Sequence, residues 1–234
     1  GFSPGGLMVR PVTAQRLGAA AGTLNATVQS TNWSGYAATG GNGAFTSISA
    51  SWTVPAATCP SSAAQFSSFW AGLDGFNSAS VEQTGTDSDC AGTTPSYYGW
   101  YEMFPAAPVV FANPVQPGDQ ISASVTFSGT ETYTLVLSDS TQGWTQTITQ
   151  NQPGLARSSA EVITEAPSSA ATGGVLPLAD FGTVNYAGSQ ANGASLASQN
   201  PTEILMVDSS GTAEDSTSAI GSNGAFSNTW LGSS

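Results

Sequence analysis

Short runs in which apolar and polar side chains take turns recur along this chain. "ISASWTVP" puts Ile48, Ala50, Trp52 and Val54 on one side, and "ISASVTF" does the same with Ile121, Ala123, Val125 and Phe127. "TYTLVL" and "WTQTIT" follow the same rule. A period of two is that of a β-strand with one buried face. The polar positions are mostly serine and threonine, as in antiparallel sheets with one face on a core and the other wet. Turn clusters such as "QPGD" (116–119) and "STQGW" (140–144) separate the runs. No stretch carries convincing helical periodicity, and there is no internal repeat. The pattern predicts an all-β sandwich or barrel, and 234 residues suit a single main domain of that kind.

The same period, applied to "SSAEVITEAPSS" (158–169), sets Glu161, Ile163 and Glu165 on one face and Ala160, Val162 and Thr164 on the other. Four residues at ~3.3 Å each separate the two glutamates by about 13 Å, too far for one paired-carboxylate dyad. "VEQTG" places Gln83 with Val81 and turns Glu82 away; "GWYEMFP" groups Trp100, Glu102 and Phe104; "FWAGLDG" pairs Trp70 with Asp74. Between positions 70 and 104 the chain therefore gathers tryptophans, tyrosines, acids and a glutamine, a composition suited to a groove for an extended polymer.

Charge sharpens this picture. Only 8% of residues are charged, the net charge is -12, there is no histidine or lysine, and the only cations are Arg10, Arg16 and Arg157. Repulsion among positive side chains helps drive acid unfolding, and this chain has almost none to repel, so it is expected to stay folded in acid. The acids are too few for a halophile's surface. Cys59 and Cys90, in a chain of secreted character, are most simply one disulfide, with a pair of buried thiols as the alternative. No uninterrupted apolar run is long enough to span a bilayer, and the opening "GFSPGGLMVR" is not a signal peptide, so secretion after removal of any export signal is expected. Residues 1–30 differ from the rest: they hold two of the three arginines and no acid, and read as a leader or pro-segment remnant before a domain spanning 31–234. Sequons stand at Asn25 and Asn32.

The missing residues exclude chemistry. Without histidine there is no Ser-His-Asp or Cys-His arrangement, and without lysine no Ser-Lys pair or Schiff base. Zinc lacks its usual ligands, and no metal or other cofactor is expected. An acidic chain should repel nucleic acid. An aspartic-protease reading needs two Asp-Thr/Ser-Gly turns, and "VDSSG" (207–211) is the nearest approach. Carboxylate and carboxamide chemistry is left, with a Glu as general acid or base and a neutral donor for developing negative charge. Glu165, Glu102, Asp74 and Glu161 are candidates, with Gln83 as donor, although any one of them alone is as readily a solvated strand residue.

"NWSGYAA" (32–38), "SFWAGLDG" (68–75), "VEQTGTD" (81–87), "YYGWYEMFP" (97–105) and "AEVITEAP" (160–167) resemble, in order and spacing, the glutamic peptidases of the eqolisin family. Each piece is a weak signal and the series of five is a strong one. The resemblance implies a secreted acid endopeptidase acting on proteins or peptides, built as a concanavalin-like, jelly-roll sandwich of two antiparallel sheets; a monomer is expected. It implies catalysis by Gln83 and Glu165, with supporting roles for Trp70, Asp74, Glu102 and Asp87 in and around the cleft; the strand pattern adds Trp100 and Glu161 as candidates for substrate binding. Val162 stands where the family often has an aromatic, and Ala166 where some relatives have Asp. The leader would then be an intramolecular pro-segment, with Arg10 or Arg16 pairing with cleft carboxylates near neutral pH. The rival reading is a carbohydrate-active sandwich using Glu102 and Glu165 as facing carboxylates, or a sugar-binding module using Trp70, Trp100 and Tyr101; a glycosidase needs its carboxyls ~5 to 9.5 Å apart and has no use for Gln83.

Overall fold

The computed structural model describes residues 2–3, 6–9, 26–60 and 62–233, and in it two eight-stranded sheets stack face to face. The first, the site sheet, runs in the order Thr27–Ser30, Thr202–Met206, Trp33–Thr39, Ser159–Glu165, Ser68–Leu73, Val81–Ala91, Thr94–Phe104 and Val109–Val110. The second runs Trp144–Asn151, Thr132–Asp139, Gln120–Phe127, Ser47–Thr53, Thr183–Ala191, Phe226–Trp230 and Asp215–Thr217, with Ala194–Ser195 beside Thr183–Ala191. Pairing in both is antiparallel except where Thr27–Ser30 joins Thr202–Met206 in parallel. The expected sandwich of two antiparallel sheets is thus the fold. Among the described residues the one helical element is a 3-10 turn at Leu196–Gln199.

Alternation explains the second sheet directly. Thr132–Asp139 buries every other residue, and Tyr133, Leu135 and Leu137 enter the inter-sheet core with Ile48, Trp52, Ile121 and Val125. Each such aliphatic or aromatic side chain taken fully out of water contributes about 1.5–3 kcal/mol. From the site sheet come Phe69, Ala71, Leu73, Ala160 and Val162. Two hydrogen bonds join polar groups that enter this layer: Trp52 Nε1 donates to Thr86 Oγ1 at 3.0 Å, and Thr164 Oγ1 lies 2.8 Å from the Tyr186 hydroxyl.

The site sheet departs from the one-wet-face expectation. Ser68–Leu73 and Ser159–Glu165 are buried along their whole lengths. A second apolar cluster explains it: Val28, Trp33, Ala37, Trp70, Val81, Trp100, Ile163 and Ile204 lie on the sheet's outer face, with Leu7, Met8 and Phe104 packed against them. Strands covered on both sides have no polar face to show.

Cys59 and Cys90 form a disulfide with Cα atoms 5.4 Å apart, tying a loop to the end of Val81–Ala91. Close approach accounts for the glycine of "NWSGY": Gly35 has φ +131°, and a Cβ there would lie 2.2 Å from the Val162 carbonyl oxygen.

Candidate active site

The outer face of the site sheet carries three parallel rows of side chains, fixed by strand register. Trp33, Glu165, Ser68, Asp87 and Tyr98 are successive cross-strand neighbours in one row. Ala37, Glu161, Gly72, Gln83 and Glu102 form another, four residues along the strands. Between them run Ile163, Trp70, Gly85 and Trp100. Glu165 and Gln83 therefore share a face, two strands apart and offset diagonally by about 13 Å of strand rise, with Trp70 midway along that diagonal.

The Trp70 indole spans the offset. Its Nε1 donates to Glu165 Oε2 at 2.9 Å. Its opposite edge, Cζ3, rests over Gly72: a Cβ on Gly72 would lie 2.8 Å from Cζ3 and 3.0 Å from Gln83 Cβ. Gly85 clears the other side, where a Cβ would meet Trp70 Cβ at 2.7 Å and the Phe69 carbonyl oxygen at 2.0 Å. The glycine of "WAG" is thus the space over which the ring lies, and that of "QTG" lets the neighbouring backbone come close. Trp33 packs edge-on to Trp70, with ring centroids 4.9 Å apart.

Glu165 is fully buried and also accepts from the Gly6 backbone N–H at 2.9 Å on Oε1. Gln83, equally buried, donates through Nε2 to Glu102 Oε1 at 3.0 Å. Asp87 accepts from Trp100 Nε1 at 2.7 Å and from the Tyr98 hydroxyl at 3.1 Å. Tyr98 lies 2.7 Å from Asp89 as well. Burial pushes Asp87 up to about 7, and burial together with the neighbouring Asp87 charge pushes Asp89 well up. Through Tyr98 and Trp100 the pair braces Val81–Ala91 against Thr94–Phe104.

Glu161 faces the same way as Glu165, as the alternation predicts, but plays a different part. It is fully buried, neither carboxyl oxygen has a hydrogen-bond partner among the described residues, and burial followed by the charge of Asp74 pushes it well above the ordinary carboxylate range. It lies in the same row as Gln83 and Glu102, on the outer face of the site sheet. Glu82 points to the other face of the sheet and is pushed up to about 10, chiefly by burial.

Asp74 sits just past the end of Ser68–Leu73 with φ +70°, so the period that paired it with Trp70 stops there. Its carboxylate accepts from the backbone N–H groups of Arg157 and Ser158 at 2.8 and 3.0 Å and from Ser78 Oγ at 2.9 Å. It clamps the loop that leads into the Glu165 strand.

Residues the sequence reading did not single out complete the site. Trp33 Nε1 donates to the Gly6 carbonyl at 3.1 Å, and Asn32 is buried with its side-chain nitrogen 2.7 Å from the Leu7 carbonyl. That contact leaves the sequon at Asn32 no room for a glycan in the folded chain. Asp89 and Tyr98 follow from the alternation that placed Gln83 and Trp100. Nothing local signalled that Gly6 would reach Glu165. Thr27–Ser30, read as leader, is a strand of the site sheet, while Phe2–Ser3 pairs antiparallel with Ser168–Ser169. Arg10, Arg16 and Asn25 lie outside the described residues.

The model of the peptidase A4 family matches residues 31–229. A comparison with curated proteins finds no match. Among solved structures, scytalido-glutamic peptidase with a transition-state-analogue inhibitor is similar at 25% identity and a TM-score of 0.73, covering 86% of this chain and 98% of that one. SCP-B, an eqolisin-family peptidase solved with the tripeptide Ala-Ile-His, gives 25% and 0.70 over 86% and 98%. Aspergilloglutamic peptidase from Aspergillus niger shares the fold at 24% identity and 0.62, over 71% of this chain and 99% of that one. With the family match spanning residues 31–229 and every motif that carried the resemblance, the chain belongs to the peptidase A4 family and is a glutamic endopeptidase.

Proposed function

We propose that Glu165 and Gln83 together hydrolyse peptide bonds in acid. Glu165 takes a proton from a water as that water attacks the scissile carbonyl carbon. Gln83 Nε2 donates to the oxyanion that forms. The C–N bond then breaks, and Glu165 returns the proton to the leaving amine, so one water is consumed for each bond cut. A carboxamide suits the donor role because it does not titrate, and one such donor is worth roughly 3–4 kcal/mol of barrier. Glutamate suits the base role because its reference pKa of about 4.3 lies near an acid working pH.

One observation carries this reading: a single indole contacts the Glu165 carboxylate at one edge and, at the other, covers the glycine beside Gln83. Two polar groups from distant segments thereby adjoin one ring on one face of the site sheet. The sugar reading has no use for the amide, and the family match favours peptides.

Secretion is part of the proposal, supported by the disulfide and the scarcity of cations. So is a pro-segment role for the leader, supported by Gly6 lying on Glu165. The test is hydrolysis of an internally quenched peptide between pH 2 and 7 by wild type, Gln83→Ala and Glu165→Gln. Loss of at least about a hundredfold in kcat is expected for each variant. Retained activity in either variant, with its circular dichroism unchanged, removes the assignment.

A further inference from the structure

We propose that residues 6–9 lie along the track taken by the leaving-amine half of a substrate, and that the Asn32 carboxamide holds that half by its backbone. The inference rests on the peptidase reading above. Glu165 can protonate a leaving amine only if the scissile nitrogen comes within hydrogen-bond reach of its carboxyl, and the Gly6 nitrogen occupies that place at 2.9 Å. The residues that follow Gly6 are then in the seats of the leaving fragment.

Main-chain contacts hold those seats. Trp33 Nε1 donates to the Gly6 carbonyl at 3.1 Å. Asn32 then grips two alternate residues at once: Nδ2 donates to the Leu7 carbonyl at 2.7 Å, and Oδ1 accepts from the Val9 N–H at 2.6 Å. On an extended chain, the carbonyl of one residue and the N–H of the residue two further on face the same edge. A carboxamide presents one donor and one acceptor in a plane that matches this spacing. Thr31 N and Ser30 Oγ close on the Val9 carbonyl at 2.8 and 2.6 Å, and Met8 N reaches the Gly75 carbonyl at 3.3 Å.

Asn32 is itself rigid relative to the catalytic acid. It is fully buried, and its carbonyl accepts from Ala166 N, the residue after Glu165, at 2.9 Å. Because every one of these contacts goes to backbone atoms, the track accepts any residue type that leaves the N–H at the Val9 seat in place. Residues 6–9 and a substrate exclude one another from it.

The test uses two peptides with the same acyl half, one continuing four residues past the cut and the other a single residue. Residues 6–9 compete equally with both, so the ratio of their kcat/KM values does not depend on how tightly that segment sits. Asn32→Ala should lower the long-to-short ratio by about tenfold, the effect of roughly two ordinary hydrogen bonds, and should do so through KM. In Asn32→Asp the protonated carboxyl keeps one donor and one acceptor. Its ratio should stay near wild type in acid and fall as the carboxyl ionises, a pH dependence that a purely architectural Asn32 would not produce. An unchanged ratio in Asn32→Ala, or a flat one in Asn32→Asp, overturns the inference. Failure of the wild type to cut either peptide overturns the peptidase reading instead.

Discussion

The Trp70 indole nitrogen donates to Glu165 Oε2 at 2.9 Å, and both side chains are wholly shielded from solvent. A buried carboxylate is costly unless donors replace the water it has lost. Trp70 supplies one such donor while lying between Glu165 and the Gln83 strand, so a single residue touches the Glu165 carboxyl and spans its offset from Gln83.

Trp70→Phe tests the donor, because phenylalanine keeps an aromatic ring and drops the N–H. Losing a hydrogen bond to a charged group costs about 1.5–3 kcal/mol, and 1.36 kcal/mol corresponds to one pKa unit. The acid limb of the kcat/KM profile should therefore move to higher pH by about one to two units, and the melting temperature should fall, because the smaller ring leaves a gap at a fully buried position. An acid limb that stays in place, in a variant that cuts peptides, shows that the indole only fills space.

Buried carboxyls make a second prediction, about stability. Glu82 is pushed up to about 10, Asp215 to about 8 and Asp87 to about 7, each mainly by burial, and Glu161 is pushed well above its ordinary range. In the unfolded chain the same groups titrate near 4. Above about pH 4 the folded state therefore binds more protons than the unfolded one, so stability falls as pH rises. The loss continues through 7 for Asp87, 8 for Asp215 and 10 for Glu82. Below about pH 4 both states are protonated at these sites and the full contribution is present. With three arginines and no lysine or histidine there is little positive charge to oppose folding there. Urea midpoints should be highest near pH 3 to 4 and fall steadily toward pH 8. Glu82→Gln, which cannot ionise, should flatten the decline; a midpoint that rises toward neutral pH contradicts the argument.

How much of this was legible in the chain depends on the range of the interaction involved. Alternation within a strand is local, and it correctly put Val81 with Gln83, Trp100 with Glu102, and Glu161 with Glu165. It failed at Asp74, where the strand ends in a left-handed residue and the carboxylate turns to a loop more than eighty positions away. It also misjudged the outer face of the site sheet, because the cover there comes from residues that are remote in sequence. Period identifies a side, whereas register identifies a neighbour. Only the pairing of Ser68 with both Glu165 and Asp87 reveals that Gln83 stands diagonally from Glu165, with Trp70 between. The five motifs carried the catalytic assignment as a resemblance. The roles of Gly6, Asn32 and Trp33 needed the fold.

The disulfide offers a third prediction, in which stability and chemistry should separate. Cys59 and Cys90 are 31 positions apart. A closed loop of that size restricts the unfolded chain by about 3–4 kcal/mol in the loop-entropy account. In a domain of this length, each kcal/mol moves the melting temperature by about 2–4 °C, so Cys59→Ser with Cys90→Ser should lower it by roughly 10 °C. The bridge anchors the far end of Val81–Ala91, where Cys90 pairs with Gln65 through the backbone in both directions, at 2.7 and 3.0 Å. Those hydrogen bonds do not need the sulfur. The register that places Gln83 opposite Gly72 and Glu102 should therefore survive, and kcat/KM measured well below the new melting temperature should change less than about threefold. A drop in kcat/KM as large as that from Gln83→Ala would mean that the bridge, rather than strand pairing, holds Gln83 in position.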